Sequence, residues 1–256
     1  MELTHQLAPL LRTLRLSGML ETLEVRNRQA VEQQSSFIEF LTLLVHDEVE
    51  RRAQKNLRLR LRRAAFDPTK TLEGFDFSFN PKLNKAQFFD LATCAFIERH
   101  ENILIYGPTG VGKSHVSQAL AHEACRRGHE VLFIDTAKML GHLAGGRADG
   151  THEHRLARYT RPDLLVLDDF ALKPLRVPGP EDLYDVINER YERASIILTS
   201  NRDRSEWPGF FGEALLASAA LDRLTHGAHF VEITGPSFRA EHTKKQAAVR
   251  RSKTTG

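Results

Sequence analysis

The chain is poor in cysteine and in long apolar runs, and each shortage excludes a class of protein. Its two cysteines, Cys94 and Cys125, form no metal-binding or redox spacing, which favours a reduced compartment. No apolar run approaches the ~18 residues that a membrane helix needs, and Met1 to His5 do not resemble a secretory signal. We therefore expect a cytoplasmic protein with no membrane partner.

Net charge is also low, at +3 over 256 residues, but the basic residues are unevenly placed. The stretch from Arg51 to Arg63 contains no acid and includes Arg51, Arg52, Lys55 and Arg58. The last stretch, 239–256, is basic as well, with Glu241 as its one acid. Such stretches are typical of surfaces that bind a polyanion. The alternative is that the first is a solvated helix face and the second a frayed tail.

Residues 1–66 have the pattern of a small helical domain of two or three helices. Leucines from Leu3 to Leu14 recur on one helical face until Gly18 interrupts them. Ser36 and Glu39 form a capping-box pattern that predicts the start of a further helix, which Pro68 ends. Apolar stripes of this kind are more often core than recognition surface.

Residues 67–82 read as a linker between this domain and the next. Phe75, Phe77 and Phe79 alternate, which predicts an extended segment held against the following domain. Their rings could pack there or stack on a nucleotide base, and packing is the commoner role of aromatic residues. A single helix is predicted over 83–97.

Residues 83–239 alternate strand and helix patterns, which predicts a doubly wound α/β domain with a tail at 240–256. Four continuous apolar runs and one alternating edge pattern predict strands at 102–106, 131–135, 164–168, 195–199 and 229–234. The helices between them are expected at 137–144, 152–159, 183–191 and 214–224, with Gly145 and Gly146 breaking the first.

A glycine-rich octet between the first strand and its helix matches the phosphate-loop pattern G-x-x-x-x-G-K-[ST]. Its residues are Gly107, Pro108, Thr109, Gly110, Val111, Gly112, Lys113 and Ser114. Glycines permit the backbone angles that turn N–H groups inward around phosphate oxygens. Lys113 would reach the β- and γ-phosphates of ATP, and Ser114 would hold Mg²⁺. The alternative is an ordinary glycine turn.

Polar residues close two other predicted strands. Adjacent carboxylates at a buried strand end are costly without a balancing cation, so Asp168 is expected to orient Mg²⁺ and Asp169 to act as general base. Carboxyl ends of parallel strands border the ligand crevice, so Asn201 could touch the γ-phosphate or the attacking water. As alternatives, the carboxylates could cap a helix and Asn201 could belong to a plain turn.

These three motifs resemble Walker A, Walker B and sensor 1 of AAA+ ATPases. The flanking segments resemble more specifically the IstB-like transposition helper ATPases, relatives of DnaC-type helicase loaders. They are 102–106 leading into the loop through His115, Leu167 to Phe170, Ala220 to Leu224 and Gly235 to Arg239. The resemblance covers nearly the whole chain up to Arg239. It implies an AAA+ P-loop core with a five-stranded parallel sheet.

The resemblance also implies roles for further residues. Arg223 stands at the position of the arginine finger that reaches a neighbour's γ-phosphate, and Arg239 at that of sensor 2. The segment 139–159, with Arg147, Arg155 and Arg158, resembles a helical insertion that meets DNA. The alternative for Arg223 and Arg239 is a surface salt bridge.

The function implied is an ATP-driven factor that assembles into a ring or spiral on double-stranded DNA and recruits a transposase. Loading of a replicative helicase is the alternative, because both groups share the ATPase signature. Asp169 replaces the glutamate of many AAA+ proteins, which implies slow hydrolysis. A small-molecule kinase fits poorly, because it gives Asn201 and Arg223 no role.

Overall fold

The computed structural model describes residues 2–80, 83–238 and 240. The chain divides into two compact units, with the boundary between Leu59 and Arg60. Among the described residues, no helix combines the length and the apolar composition needed to cross a bilayer.

Three helices occupy the amino-terminal part: α1 (Glu2–Thr13), α2 (Ser17–Glu32) and α3 (Phe37–Ala64), the last of which runs across the unit boundary. The predicted capping box is confirmed, since the Ser36 N–H donates to Glu39 Oε2 (2.7 Å) and the Glu39 N–H to Ser36 Oγ (3.3 Å). Gly18 lies inside the first turn of α2, where a Cβ atom would stand 2.7 Å from Glu48 Cα. This glycine therefore permits close contact between α2 and α3.

The second unit begins with the end of α3 and alternates helices and strands. Its elements are α4 (Lys85–Leu91), α5 (Ala95–Glu98), β1 (Ile103–Tyr106), α6 (Lys113–Arg127), β2 (Val131–Asp135), α7 (Thr136–Asp149), α8 (His152–Thr160), β3 (Leu164–Phe170), α9 (Gly179–Arg190), β4 (Ser195–Ser200), a 3₁₀ turn (Arg204–Glu206), α10 (Trp207–Phe211), α11 (Ala214–Thr225) and β5 (His229–Glu232).

The five strands form one parallel sheet with β5 at an edge, as predicted, and their order is β2-β3-β4-β1-β5. The apolar runs of β1 and β3 are fully buried at Ile103, Leu104 and Leu164 to Leu167, as expected of strands covered on both faces. Because all strands point the same way, the segments that follow β1, β3 and β4 emerge at one edge of the sheet. We call this the carboxyl edge.

The structure corrects three predicted elements. The helix expected over 83–97 is two helices, separated at Cys94, whose φ is +63°. The linker aromatics lie in successive turns rather than in an extended segment, with the Phe75 and Phe77 rings 4.8 Å apart. Gly145 and Gly146 lie within α7 and do not break it. Their lack of a side chain lets α8 pack closely, since a Cβ at Gly146 would lie 2.9 Å from His152 Cα.

Candidate functional site

The glycine-rich loop joins β1 to α6 at the carboxyl edge of the sheet. Gly107, Gly110 and Gly112 have φ values of +142°, +87° and +103°, which side chains rarely adopt. A Cβ at Gly107 would lie 2.0 Å from the Ile233 carbonyl oxygen, and one at Gly110 would lie 2.2 Å from Ser237 Oγ. The loop thus needs glycine both for its turns and for its close contact with residues 233–237.

Lys113 begins α6, and its side chain folds back over the loop with 5% of its surface exposed. Its ammonium group donates to the carbonyl oxygens of Gly107 and Pro108, both at 2.7 Å, and to Asn201 Oδ1 at 2.6 Å. The positive end of the 15-residue α6 adds to this charge at the loop. A cation and a helix terminus that share a glycine loop form the geometry of an anion site.

Asp168 lies beside the loop on β3 and accepts two hydroxyl donors on one oxygen. Ser114 Oγ donates to Asp168 Oδ1 at 2.9 Å, and Thr199 Oγ1 donates to the same atom. Burial raises the pKa of Asp168, and the bonds from Thr199 and Ser114 act against this rise. A nearby cation would stabilise this desolvated carboxylate.

Asp169 adopts a left-handed backbone conformation, with φ of +53°, at an irregularity in the pairing of β3 with β4. Its N–H donates to Thr199 Oγ1 at 3.1 Å, and its carboxylate accepts from Asn201 Nδ2 at 3.2 Å. The strained turn separates the two neighbouring carboxylates onto different partners. Asp168 therefore faces Ser114, while Asp169 faces Asn201.

Residues from three strand ends thus form one connected network: Lys113 to Asn201, Asn201 to Asp169, Asp169 to Thr199, Thr199 to Asp168, and Asp168 to Ser114. Sequence reasoning did not assign a role to Thr199, whose hydroxyl joins the Asp168 carboxylate to the Asp169 backbone N–H. Its place beside β3 depends on strand register, which the sequence does not reveal. Hydroxyl and carboxylate oxygens are the ligands that Mg²⁺ prefers, so Ser114 and Asp168 fit that ion.

His115, predicted to bind cofactor, makes its contacts with the linker. Its Nε2 lies 3.1 Å from the Thr71 carbonyl oxygen, and its ring centroid is 5.2 Å from that of Phe75. Burial lowers the pKa of His115, which favours the neutral ring. Phe75 also covers the loop, since a Cβ at Gly112 would lie 3.0 Å from Phe75 Cε2. Residues 71–75 therefore support the loop from outside.

Arg223 lies near the end of α11, far from this network. It lines a cavity with Asn102, which precedes β1, and with Ile196 near the start of β4. Both positions mark the amino ends of strands, so Arg223 and Lys113 of one chain lie toward opposite ends of the sheet. The second arginine that the resemblance singled out, Arg239, lies outside the described residues.

The predicted DNA-contacting residues of α3 fall into two groups. Arg51 pairs with Glu21, and Arg52 donates to the buried Glu48 at 2.6 Å. Lys55 and Arg58 are exposed and, within the described ranges, have no acidic partner at ion-pair distance. The structure leaves Lys55 and Arg58 open to an external anion.

The arginines of α7 and α8 divide in the same way. Arg147 Nε donates to Asp182 Oδ1 at 2.7 Å, and its guanidinium lies 3.6 Å from Glu181 and 3.7 Å from Asp185. Arg155 pairs with Asp149 and donates to the His142 carbonyl oxygen at 2.7 Å. Arg158 is exposed, and no acid of the described residues pairs with it. Arg147 and Arg155 therefore serve the packing of this unit.

Comparisons with known proteins agree with this geometry. The family model described as IstB-like ATP binding protein matches residues 9–247. A Mycobacterium tuberculosis protein, named for ATP binding in an insertion sequence, is 44% identical over 90% of this chain and 92% of its own. The correspondingly named protein of insertion sequence IS21 from Pseudomonas aeruginosa is 34% identical over 98% and 94%.

Solved structures show the same fold. The replication initiator DnaA bound to AMPPCP and single-stranded DNA is 25% identical and aligns with a TM-score of 0.54 over 67% of this chain and 52% of that one. DnaI aligns with a TM-score of 0.55 at 19% identity over 68% and 94%. The AAA+ P-loop fold is therefore established for the second unit.

Proposed function

This chain belongs to the family of IstB-like ATP-binding proteins, and on that premise we propose that it is a Mg²⁺-dependent ATPase that assembles on DNA and recruits a transposase. The observation that carries the proposal is the network from Lys113 through Asn201 to Asp169 at the carboxyl edge. It places a cation, a polar amide and a carboxylate around one glycine loop.

Each residue of the network has a distinct task in ATP hydrolysis. The loop N–H groups and Lys113 bind and orient the phosphates, and Ser114 with Asp168 would hold Mg²⁺, which neutralises phosphate charge when bound. Asp169 accepts the proton of the attacking water, and Asn201 fixes the position of that carboxylate. Thr199 holds the Asp168 carboxylate and the Asp169 backbone in place through its hydroxyl.

We propose that Arg223 completes the site of a neighbouring subunit. The amino ends of the strands, where Arg223 lies, are remote from the chain's own loop, so the guanidinium suits a site supplied by a second copy. An arginine that stabilises the transition-state charge in trans couples turnover to assembly. A ring or a spiral would satisfy this requirement.

Double-stranded DNA would contact the open basic residues Lys55, Arg58 and Arg158 rather than the paired ones. The first two lie on one face of α3, three positions apart. These residues offer phosphate contacts without an evident base-reading element, so binding would be non-specific and steeply dependent on salt. The DNA-bound initiator among the structural neighbours supports a nucleic-acid role for this fold.

The insertion-sequence names of the relatives favour a transposase as the partner. A replicative helicase is the alternative. Pull-down from defined mixtures of this protein with purified transposase and with purified replicative helicase separates the two. Retention of the helicase alone would reject the transposition role while leaving the ATPase assignment intact.

Mixing of two variants tests the shared site directly. Lys113→Ala removes a chain's own phosphate contact, and Arg223→Ala removes the residue offered to its neighbour. Each variant alone should retain only a low residual turnover, whereas their mixture on DNA should regain much more, because one type of interface then has an intact loop and an intact arginine. Arg193→Ala, at a side chain 74% exposed, is the matched control and should retain turnover.

The mixing experiment has two outcomes that would contradict the trans role. One is normal turnover by Arg223→Ala alone. The other is a mixture in which both variants co-assemble, as shown by sedimentation, but hydrolysis does not return. In either case Arg223 would be a structural arginine.

A further inference from the structure

Two tyrosines contact the guanidinium of Arg223: Tyr184 in α9 and Tyr191, the residue that directly follows this helix. Arg223 Cζ lies 5.4 Å from the ring centroid of Tyr184 and 5.8 Å from that of Tyr191. Both distances are within the range in which an aromatic ring attracts a cation. Tyr184 lies within α9 and Tyr191 caps its carboxyl end with a non-helical backbone, and both rings lie on the side of α9 that faces Arg223. The guanidinium thus lies within reach of both rings.

A backbone contact completes this arrangement. Arg223 Nη1 donates to the carbonyl oxygen of Ala219, one turn earlier in α11, at 2.9 Å. No carboxylate of the described residues pairs with Arg223 at ion-pair distance, so its charge is balanced by aromatic rings and a carbonyl dipole. Such a cation keeps more of its charge for an external anion than one paired with a carboxylate.

The position of Tyr191 is itself fixed by its neighbour. Arg190 is buried, and its guanidinium donates to the carbonyl oxygens of Tyr159 (2.9 Å), Pro162 (2.8 Å) and Ser195 (2.7 Å). These bonds fasten the end of α9 to the segment before β3 and to the start of β4. On the other side, Tyr191 Oη lies 3.3 Å from His226 Nδ1.

We propose that Tyr184 and Tyr191 are positioning residues that aim Arg223 at the nucleotide of the adjacent subunit. This inference rests on the proposed trans role of Arg223. The flexible arginine side chain has many rotamers in water. The two rings restrict Arg223 to the rotamers that point toward the adjacent subunit, before that subunit binds. Their effect should therefore appear in turnover and not in the chain's own affinity for ATP.

Substitution by leucine removes the aromatic face but keeps an apolar side chain of similar volume. Tyr191→Leu and Tyr184→Leu should each lower kcat roughly fivefold, a value within the range of a cation–π contact, and leave the Kd for ATP unchanged. Tyr191→Phe keeps the ring and loses only the hydroxyl, so it should retain most of the turnover. Asn188→Ala, at an exposed position of α9, is the control and should change neither quantity.

A double-mutant cycle separates positioning from simple stabilisation. In the Arg223→Ala background, Tyr191→Leu should cause no further loss of turnover, because the residue that it aims is absent. A tyrosine that only stabilises the fold would lower turnover in both backgrounds and would not be rescued by phenylalanine. Thermal unfolding of each variant, measured alongside, shows whether any loss follows stability.

The outcomes distinguish this inference from the proposed function. If Arg223→Ala loses turnover but Tyr191→Leu keeps it, or if the two effects multiply, the positioning role is wrong and the trans role stands. If Arg223→Ala hydrolyses ATP normally, both are wrong. Loss of turnover in Tyr191→Leu that phenylalanine restores, with no added loss in the Arg223→Ala background, supports the inference.

Discussion

The charged residues at the carboxyl edge and those on the basic surfaces of this protein differ in the partners that they contact. At the carboxyl edge, Lys113, Asp168 and Asp169 contact one another through Asn201 and Thr199, all within one unit. On α3, α7 and α8, some arginines are bound to acids brought in by folding, while Lys55, Arg58 and Arg158 face solvent.

The comparison shows that residue type alone does not make a binding residue. The carboxyl-edge residues are held by their strands and loop in positions that suit Mg²⁺ and phosphate. The basic residues look equivalent in the sequence, yet Arg147 balances the fully buried Asp182 while Arg158, one helix later, has no such task. Function should therefore respond to each substitution according to the contacts that it removes.

The largest effect on ATP binding should come from Lys113→Ala. The variant loses a charge-assisted contact to the phosphates, which we expect to weaken ATP binding roughly a hundredfold. Titration with a fluorescent ATP analogue measures the Kd. Lys113→Met, which keeps the apolar part of the side chain, controls for loss of packing around the loop. Unchanged affinity in both variants would remove Lys113 from the phosphate site.

Asp169→Asn should affect turnover and spare binding. Asparagine tolerates the left-handed backbone that Asp169 adopts at φ of +53°, so the strand irregularity should persist. The amide cannot accept the proton of water, and kcat should fall roughly 10²–10⁴-fold. Phosphate release measures kcat, and ATP titration checks that the Kd is retained. Turnover at the wild-type level would reject Asp169 as the base.

Much of the second unit is predictable because its strands are buried on both faces. Runs such as Leu164 to Leu167 are then continuous in the sequence, and parallel strands bring their polar carboxyl-terminal residues to one edge. The glycine loop, the carboxylates and Asn201 could therefore be placed near one another before the structure was known. The prediction depended on topology and required no knowledge of side-chain contacts.

Other features depend on contacts between distant segments and could not be predicted. The role of Thr199 requires the irregular pairing between Leu167 and Phe170, which shifts β3 against β4. Gly145 and Gly146 indicate a helix break when considered locally, whereas they permit the approach of Arg155 and His152. Helix α10 was not predicted, because its aromatic residues Trp207, Phe210 and Phe211 are ordered by packing against Phe170.

Within the α7–α8 segment, Arg147→Ala and Arg158→Ala should have opposite consequences. The first leaves the buried Asp182 with the His152 ring as its remaining side-chain partner and should cost about 2 kcal/mol of unfolding free energy, less than a fully buried pair because Arg147 is partly exposed. The second should stay within about 0.5 kcal/mol of wild type. Urea unfolding measures both. Equal stability would place Arg147 among the surface arginines and restore it as a candidate DNA contact.

The smallest change in the free energy of unfolding is expected from a Lys55→Ala/Arg58→Ala variant. The same variant is the clearest test of whether the open basic residues bind DNA. Each phosphate contact that is lost should reduce the slope of log affinity against log salt by about 0.9, so the pair should reduce it by about 1.8. Arg52→Ala is the control: Arg52 is bound to Glu48, so its loss should lower stability and leave the slope unchanged. Fluorescence anisotropy with one duplex at several salt concentrations gives the slopes.

A slope that falls for Arg52→Ala but not for the double variant would reverse the assignment, because the paired arginine would then release its acid to bind DNA. Equal slopes in all three proteins would remove α3 from the DNA surface and leave Arg158 as the remaining residue to test.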